Sequence, residues 1–278
     1  MLPNIKIFQQ AATAFAILCT SLGAHAHDIH EATYLGNEGV MIVNGDTKIL
    51  FDAFYAQSYG QYALVPDNII DQMMRGAPPY DDIDAVFVSH VHGDHFSAEP
   101  AIAYLRACPN VRLYGTTQVL EAIAEAGIDE DDPLHKRLIG IDLTPEDAPI
   151  TIEDGALEID VVSIPHAGNR PHIQNYAWRV TLDDEITIIH LGDADTAVSN
   201  FSRHTEYFAA RRHDMSFPPY WFLGSETGKL ILSDIIKAGH DVGVHVPSRA
   251  SGDGEAWRKR LGGDVFTDPG EKRVLPPK

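Results

Sequence analysis

The alternation of hydrophobic and polar positions changes period repeatedly between residues 27 and 278, and no repeat, low-complexity tract or linker interrupts it. Short runs rich in β-branched and aromatic residues at Thr33–Leu35, Gly39–Val43 and Lys48–Phe51 predict strands, with Asn44-Gly45 as the hairpin turn between the last two. Asp67–Met74 shows helical spacing and meets Gly76 and Pro78, which stop it. Ala85–Val88 is apolar at every position, the mark of a strand buried on both faces, and it runs straight into Ser89 and His90. Helices are predicted at Ala98–Ala107 and Thr117–Ala126 around a strand at Val111–Tyr114, followed by an acidic loop at Ile128–Pro133. A β-rich stretch comes next: Ile150–Ile152, Leu157–Ile164, Tyr176–Leu182 and Ile186–Leu191, with Asp183-Asp184 turning between the last two. The remainder alternates as helix Ser202–Arg211, strand Met215–Trp221, helix Lys229–Ala238 and strand Val242–Val246, and the final dozen residues read as a loose tail. Strand-rich openings followed by helices in both halves predict an α/β chain of two packed sheets with helices outside.

Composition narrows the function classes. With 278 residues, 44% hydrophobic and 22% charged, the chain is globular in composition rather than disordered, collagenous or coiled-coil. A formal charge of -19 repels phosphate backbones and anionic lipid heads, so the expected partner is a small-molecule substrate, with no nucleic acid and no stable membrane association. Met1–Lys6, the apolar run from Ala11 to about Leu22 and Ala24-His25-Ala26 predict a secretory signal peptide over residues 1–26, hence an exported, periplasmic or secreted protein. An amphipathic first helix fits less well, because the run is apolar nearly all round. A lipoprotein cut before Cys19 is disfavoured by the bulk of Leu18. Residues 27–278 would form one domain whose lone Cys108 allows no internal disulfide, so stability has to come from the core or from bound metal.

The fourteen histidines are distributed tellingly. His90-Val91-His92-Gly93-Asp94-His95 follows the Ala85–Val88 strand directly, and Gly93 lets the backbone turn between the two pairs. A strand end is a rigid platform, and imidazole and carboxylate groups aimed from the loop after it suit zinc and similar borderline ions. More ligand types stand at strand ends: His166 after Leu157–Ile164, Asp193 after Ile186–Leu191, and His245 after Val242–Val244.

This set resembles the metallo-β-lactamase superfamily of metal-dependent hydrolases, whose H-x-H-x-D-H signature and later single His, Asp and His match His90, His92, Asp94, His95, His166, Asp193 and His245. Tyr34–Asn37 and Ile49–Asp52 are similar to the family's opening hairpin, whose terminal aspartate orients a metal ligand. The resemblance implies a four-layer αββα sandwich with two divalent transition-metal ions at one edge, zinc first, with manganese or iron also compatible. It implies one ion on His90, His92 and His166, a second on Asp94, His95 and His245, and Asp193 bridging both. Asp94 is also the candidate catalytic carboxylate. A hydroxide between the ions would be the nucleophile.

True β-lactamases carry Cys or Ser where this chain places Asp193. The resemblance therefore runs to the lactonase-like branch, and the implied reaction is cleavage of an ester, lactone or related bond in a small molecule. A phosphodiesterase and a non-catalytic metal-binding protein are the alternatives. His172 competes with His166 as ligand. His190 reads as core or support; His204 and His213 are split between pocket and solvent; His135 and His240 read as surface. An N-terminal copper site at His27 is a remote alternative. Tyr220 and Trp221 are divided between pocket wall and strand packing, and Arg170 and Arg249 between substrate-anion binding and plain surface.

Overall fold

The computed structural model describes residues 29–129 and 131–276, so the predicted signal peptide and His27 lie outside the described residues. Among these, seven strands form one sheet, in spatial order Lys272–Val274, His30–Gly36, Gly39–Asn44, Thr47–Phe51, Ala85–Phe87, Arg112–Thr116 and Leu138–Ile141. A second sheet runs Met215–Phe217, Ile186–His190, Tyr176–Leu182, Leu157–Ser163 and Ile150–Asp154. The hairpins are antiparallel, whereas Thr47–Phe51, Ala85–Phe87, Arg112–Thr116 and Leu138–Ile141 are mutually parallel neighbours.

Period-two alternation produces the layers. Val40, Ile42, Ile49, Phe51 and Phe87 face the second sheet and meet Ile159, Val161, Trp178, Val180 and Ile188. Their chain neighbours Met41, Val43, Leu50 and Val86 point the other way, onto helices Asp67–Met74, Ala98–Ala107 and Thr117–Glu125. The last of these is capped by the Thr116 side chain, which accepts from the Val119 amide. On the far side Val162, Ile164, Ile189 and Leu191 pack on Phe201, Phe208, Phe222, Ile231, Trp257 and Leu261 from the C-terminal helices. Each sheet is thus buried on both faces, which gives the near-continuous apolar runs of its strands. The result is an αββα sandwich.

Several expectations are corrected. Residues 218–221 are not a strand: Met215–Phe217 ends the sheet, and Tyr220–Gly224 is a short helix started by Pro218-Pro219, whose rings remove two ladder donors. The predicted helix at Ser202–Arg211 is two pieces, Val198–Ser202 and Thr205–Ala210. Lys229–Ala238 is the end of Glu226–Leu230 followed by a π-helical stretch, Ile231–Ile236. Val242–Val246 keeps ladder pairing only at Val242–Gly243. The tail is not loose either: Lys272–Val274 pairs antiparallel with His30–Gly36 and covers an edge of the first sheet, after a helix, Gly254–Leu261, that periodicity did not single out.

Candidate metal centre

The site forms where strands of both sheets end side by side. Trp178 is fully buried between the sheets, and its Nε1 donates to the Val88 carbonyl at 3.1 Å. Burying such a ring contributes about 1.5–3 kcal/mol, and the hydrogen bond fixes the strand that launches the His90–His95 loop. Tyr176 N donates to Ser89 O at 3.0 Å, tying the same strand end to the second sheet. The other ligand-bearing strands are clamped by Asn175. Its Nδ2 donates to Ile164 O and Leu191 O, each at 3.2 Å, and its Oδ1 accepts from the Asp193 amide at 2.9 Å. Nothing in the local pattern around Asn175 announced that role.

Six of the seven predicted ligands are buried and His92 is half-buried. They make two adjoining groups. His90 Nε2 lies 3.0 Å from His92 Nδ1 and 3.3 Å from His166 Nε2, and His166 Nε2 is 3.1 Å from His92 Nδ1. Asp193 Oδ2 faces this trio, 3.3 Å from His166 Nε2 and 3.9 Å from His90 Nε2. Its other oxygen, Oδ1, faces the second group, 3.5 Å from His95 Nε2 and 3.1 Å from His245 Nε2. Asp94 Oδ2 lies 3.8 Å from His95 Nε2 and 3.5 Å from His245 Nε2. A tetrahedral ion with bonds of about 2.0–2.1 Å holds its donors about 3.3 Å apart, and these separations fit that requirement. His95 Nε2, Asp193 Oδ1 and both His245 ring nitrogens are buried with no well-oriented hydrogen-bond partner among the described residues. Such convergence of lone pairs is costly unless a cation is shared. The residues therefore suit divalent metal.

Supporting contacts aim these rings. Asp52 accepts from Ser89 N at 2.7 Å and Ser89 Oγ at 2.5 Å, and its Oδ2 lies 2.9 Å from His95 Nδ1. His166 Nδ1 is 2.6 Å from the Ala167 carbonyl, which turns Nε2 inward. His245 has φ +59, an uncommon conformation for a ring-bearing residue. It is held there by its amide donating to Asn37 O at 2.9 Å, by the edge of Tyr62 at 4.2 Å and by Trp221 at 5.2 Å between ring centroids. Trp221 Nε1 also donates to Ala194 O at 3.1 Å, so this residue braces the Asp193 loop against His245 rather than lining the cavity.

Electrostatics divides the two groups. Burial, then repulsion from His95, holds His90 well below the usual imidazole range, and burial with His166 beside it brings His92 down to about 4. Both are thereby kept neutral, the form that binds metal. Burial also opposes a charge on His95, but Asp193, Asp52 and Glu38 outweigh it and raise that ring to about 9. Burial would lift Asp193, yet His245 and His95 hold it well below the carboxylate range.

Sequence reasoning overlooked Glu38, which stands in the Asn37-Glu38 turn between the first two strands. It is fully buried, with Oε2 3.8 Å from His95 Nδ1 and 3.7 Å from His190 Nε2, and burial raises its carboxyl well above the usual range. His190 is fully buried behind the site, its Nε2 3.0 Å from the Glu38 carbonyl and its ring stacked on Phe51. His172 is exposed and outside both groups. His135 is exposed and His240 pairs with Asp264 at 3.0 Å on the surface. His204 and His213 do not line the cavity: His213 is buried with Nδ1 2.7 Å from Ile236 O, and His204 lies in a separate depression. Arg249 sits over the Trp257 ring, 5.9 Å from its centroid.

In front of the groups is a cavity of about 480 Å3. His92, Asp94, Asp193 and His245 form its floor, and Tyr59, Gln61, Tyr62 and Arg170 its walls. The first three wall residues come from the irregular segment between Asp52 and Pro66, which has no periodicity to flag it.

The profile of the β-lactamase superfamily domain matches residues 47–209, more than half the chain. No curated protein matches at a significant level. Among solved structures, the metallo hydrolase Igni18 from Ignicoccus hospitalis aligns at 15% identity and TM-score 0.60, covering 90% of this chain and 99% of its own. An isothiocyanate hydrolase from Delia radicum gut bacteria aligns at 15% identity and TM-score 0.58, covering 89% of this chain and 100% of its own. The diiron β-hydroxylase CmlA from Streptomyces venezuelae aligns at 13% and TM-score 0.52, covering 89% of this chain and 54% of its own. The chain belongs to the β-lactamase superfamily and has the metallo-β-lactamase fold, that of the metal-dependent hydrolases it resembles in sequence.

Proposed function

We propose that this protein is an exported dinuclear metal-dependent hydrolase that cleaves an ester, lactone or related bond in a small molecule. The observation that carries the reading is the placement of Asp193, with one carboxylate oxygen toward His90 and His166 and the other toward His95 and His245. His90, His92 and His166 would hold one ion, Asp94, His95 and His245 the other, and Asp193 would span both. Divalent ions there would polarise a carbonyl oxygen and bring a water pKa near neutrality.

The chain's own groups supply the rest. Asp52 and the Ala167 carbonyl keep His95 and His166 oriented. Asp94 presents its carboxylate both to the second group, through Oδ2, and to the cavity, where the other oxygen can take the proton of the attacking water and return it to the alkoxy oxygen as the substrate bond opens. Tyr62 shields the cavity side of His245 from solvent. Zinc suits this mixed imidazole and carboxylate set, and manganese and iron share it. The fold neighbours, a hydrolase of isothiocyanates and a diiron hydroxylase among them, differ in reaction, so the bond cleaved has to be found by assay.

The test is elemental analysis of purified mature protein, with turnover on a panel of esters, lactones, phosphodiesters and penicillin, with and without chelator. About two equivalents of metal and chelator-sensitive ester or lactone hydrolysis are expected. Less than half an equivalent after growth with zinc, manganese or iron, or penicillin as the best substrate, would refute the reading. For export, N-terminal sequencing of envelope material should begin near His27, and chains starting at Met1 would count against it.

A further inference from the structure

The segment after His166 does more than connect two strands. Ala167 N donates to Asp193 O at 2.8 Å, and then Gly168 at φ +77 and Asn169 at φ +56 turn the chain back in two successive left-handed steps. The Arg170 carbonyl accepts from Ile173 N at 3.1 Å, closing the turn. The side chain folds back over the loop, its guanidinium carbon 3.8 Å from where a Cβ on Gly168 would stand, and it forms a wall of the cavity whose floor includes His92 and Asp94. Gly at the first position and Asn at the second both suit the left-handed region.

Several other arginines of this acidic chain are held in ion pairs. Arg179, Arg211 and Arg273 each hold a carboxylate, at 2.9, 2.5 and 2.6 Å respectively. Arg170 pairs with none among the described residues, although acids outnumber bases 40 to 21. The net charge of -19 opposes the approach of an anion, so an anionic substrate needs a local cation at the place where it binds.

We propose that Arg170 is the specificity-determining residue of the cavity, receiving a carboxylate carried by the substrate a few bonds from the ester or lactone that is cleaved. The inference rests on the hydrolase reading above and adds the substrate class. A single guanidinium offers two parallel N–H groups to a planar carboxylate, whereas a phosphate dianion calls for more positive charge than the cavity walls hold. A cavity of about 480 Å3 is about 10 Å across if round, which limits the substrate to a small acid. In the reaction water adds to the acyl carbon, the bond to the alkoxy oxygen breaks, and the alcohol leaves with a proton; the carboxylate on Arg170 takes no part in bond changes.

The experiment uses the metal-loaded full mature chain and two esters with one leaving group, 4-nitrophenyl acetate and mono-4-nitrophenyl succinate. The ratio of kcat/KM for the succinate ester to that for the acetate should fall about tenfold or more in Arg170→Gln, mainly through KM, and recover in part in Arg170→Lys. Arg75→Gln removes one exposed charge that does not line the cavity and should leave the ratio unchanged. An equal fall for both esters, or no preference in the unmodified protein, overturns the assignment. Calorimetric titration with free succinate gives a readout apart from turnover: affinity lost in Arg170→Gln supports the site, and affinity unchanged or absent from the start overturns it. Succinate binding that depends on Arg170 without hydrolysis of either ester would sink the hydrolase reading and leave the carboxylate site standing.

Discussion

His95 Nδ1 lies 2.9 Å from Asp52 Oδ2, and this contact points the opposite nitrogen of the ring at Asp193 Oδ1, 3.5 Å away. Asp52 accepts three donors in all, the other two being the amide and hydroxyl of Ser89. An asparagine keeps the shape and tolerates the φ of +38 at this position, but it has one acceptor oxygen where two are used. Asp52→Asn should leave the fold intact and weaken metal binding at His95 by about 10–100-fold. Titration against a chromophoric chelator measures it, and an unchanged affinity would show that Asp52 does not orient the ring.

Asp193 and His245 separate a bridging role from a one-sided one. Asp193→Ala should cost metal at both positions and lower turnover by several orders of magnitude, since its two oxygens face two nitrogen groups. His245→Ala should empty mainly the second position and leave His90, His92 and His166 able to hold one ion. Chelation should lower the melting temperature of the unmodified protein and have little further effect on Asp193→Ala, because metal bound only to the native state stabilises it. Normal metal content in Asp193→Ala would remove it as the bridge. Asp195 is the neighbouring carboxylate, but it caps the backbone of Ala197.

Gly192 precedes Asp193 with φ +53, and a Cβ there would stand 2.5 Å from Asn175 Oδ1 and 2.6 Å from Ser89 Cβ. Asn175 is the residue that accepts from the Asp193 amide. Gly192→Ala should therefore destabilise the protein by on the order of 2 kcal/mol and also reduce metal content, linking a backbone strain to the site. Denaturant unfolding with metal analysis on the same sample checks both. Full metal content at wild-type stability would mean that the loop can shift freely.

His213 provides a pH signature away from the metal. Burial, opposed only weakly by the Ile236 carbonyl, lowers it from the ordinary value to about 4. The unfolded chain takes up a proton near pH 6.5 and the native state does not until about pH 4, so stability present above 6.5 is lost as pH falls through that window. Metal-free protein should show this fall in melting temperature. His213→Gln should be less stable at neutral pH, through loss of a buried contact, yet show a shallower fall between 6.5 and 4. Parallel pH profiles for the two proteins would assign the slope elsewhere.

Much of this protein follows from its sequence because the governing interactions are local or periodic. The near-continuous apolar runs at Gly39–Val43 and Val161–Ile164 are enough for strands buried on both faces, since side chains of a strand must point to opposite sides. His90, His92, Asp94 and His95 lie within one turn after a strand, so their convergence needs no knowledge of the rest of the chain. Tertiary structure alone decided the remainder. His166, not His172, enters the first group because the left-handed steps at Gly168 and Asn169 turn the segment after it away from the cluster. Pro218-Pro219 overrode the strand preference of Tyr220 and Trp221 by removing ladder donors, and Trp221 became a brace for two ligand loops. The tail became a strand because His30–Gly36 had an edge to cover. Glu38 and Arg170 acquire their places only when distant chain segments are brought together, and even the clamp at Asn175 joins strands that a local pattern does not connect; a period of two or 3.6 residues carries no information at that range.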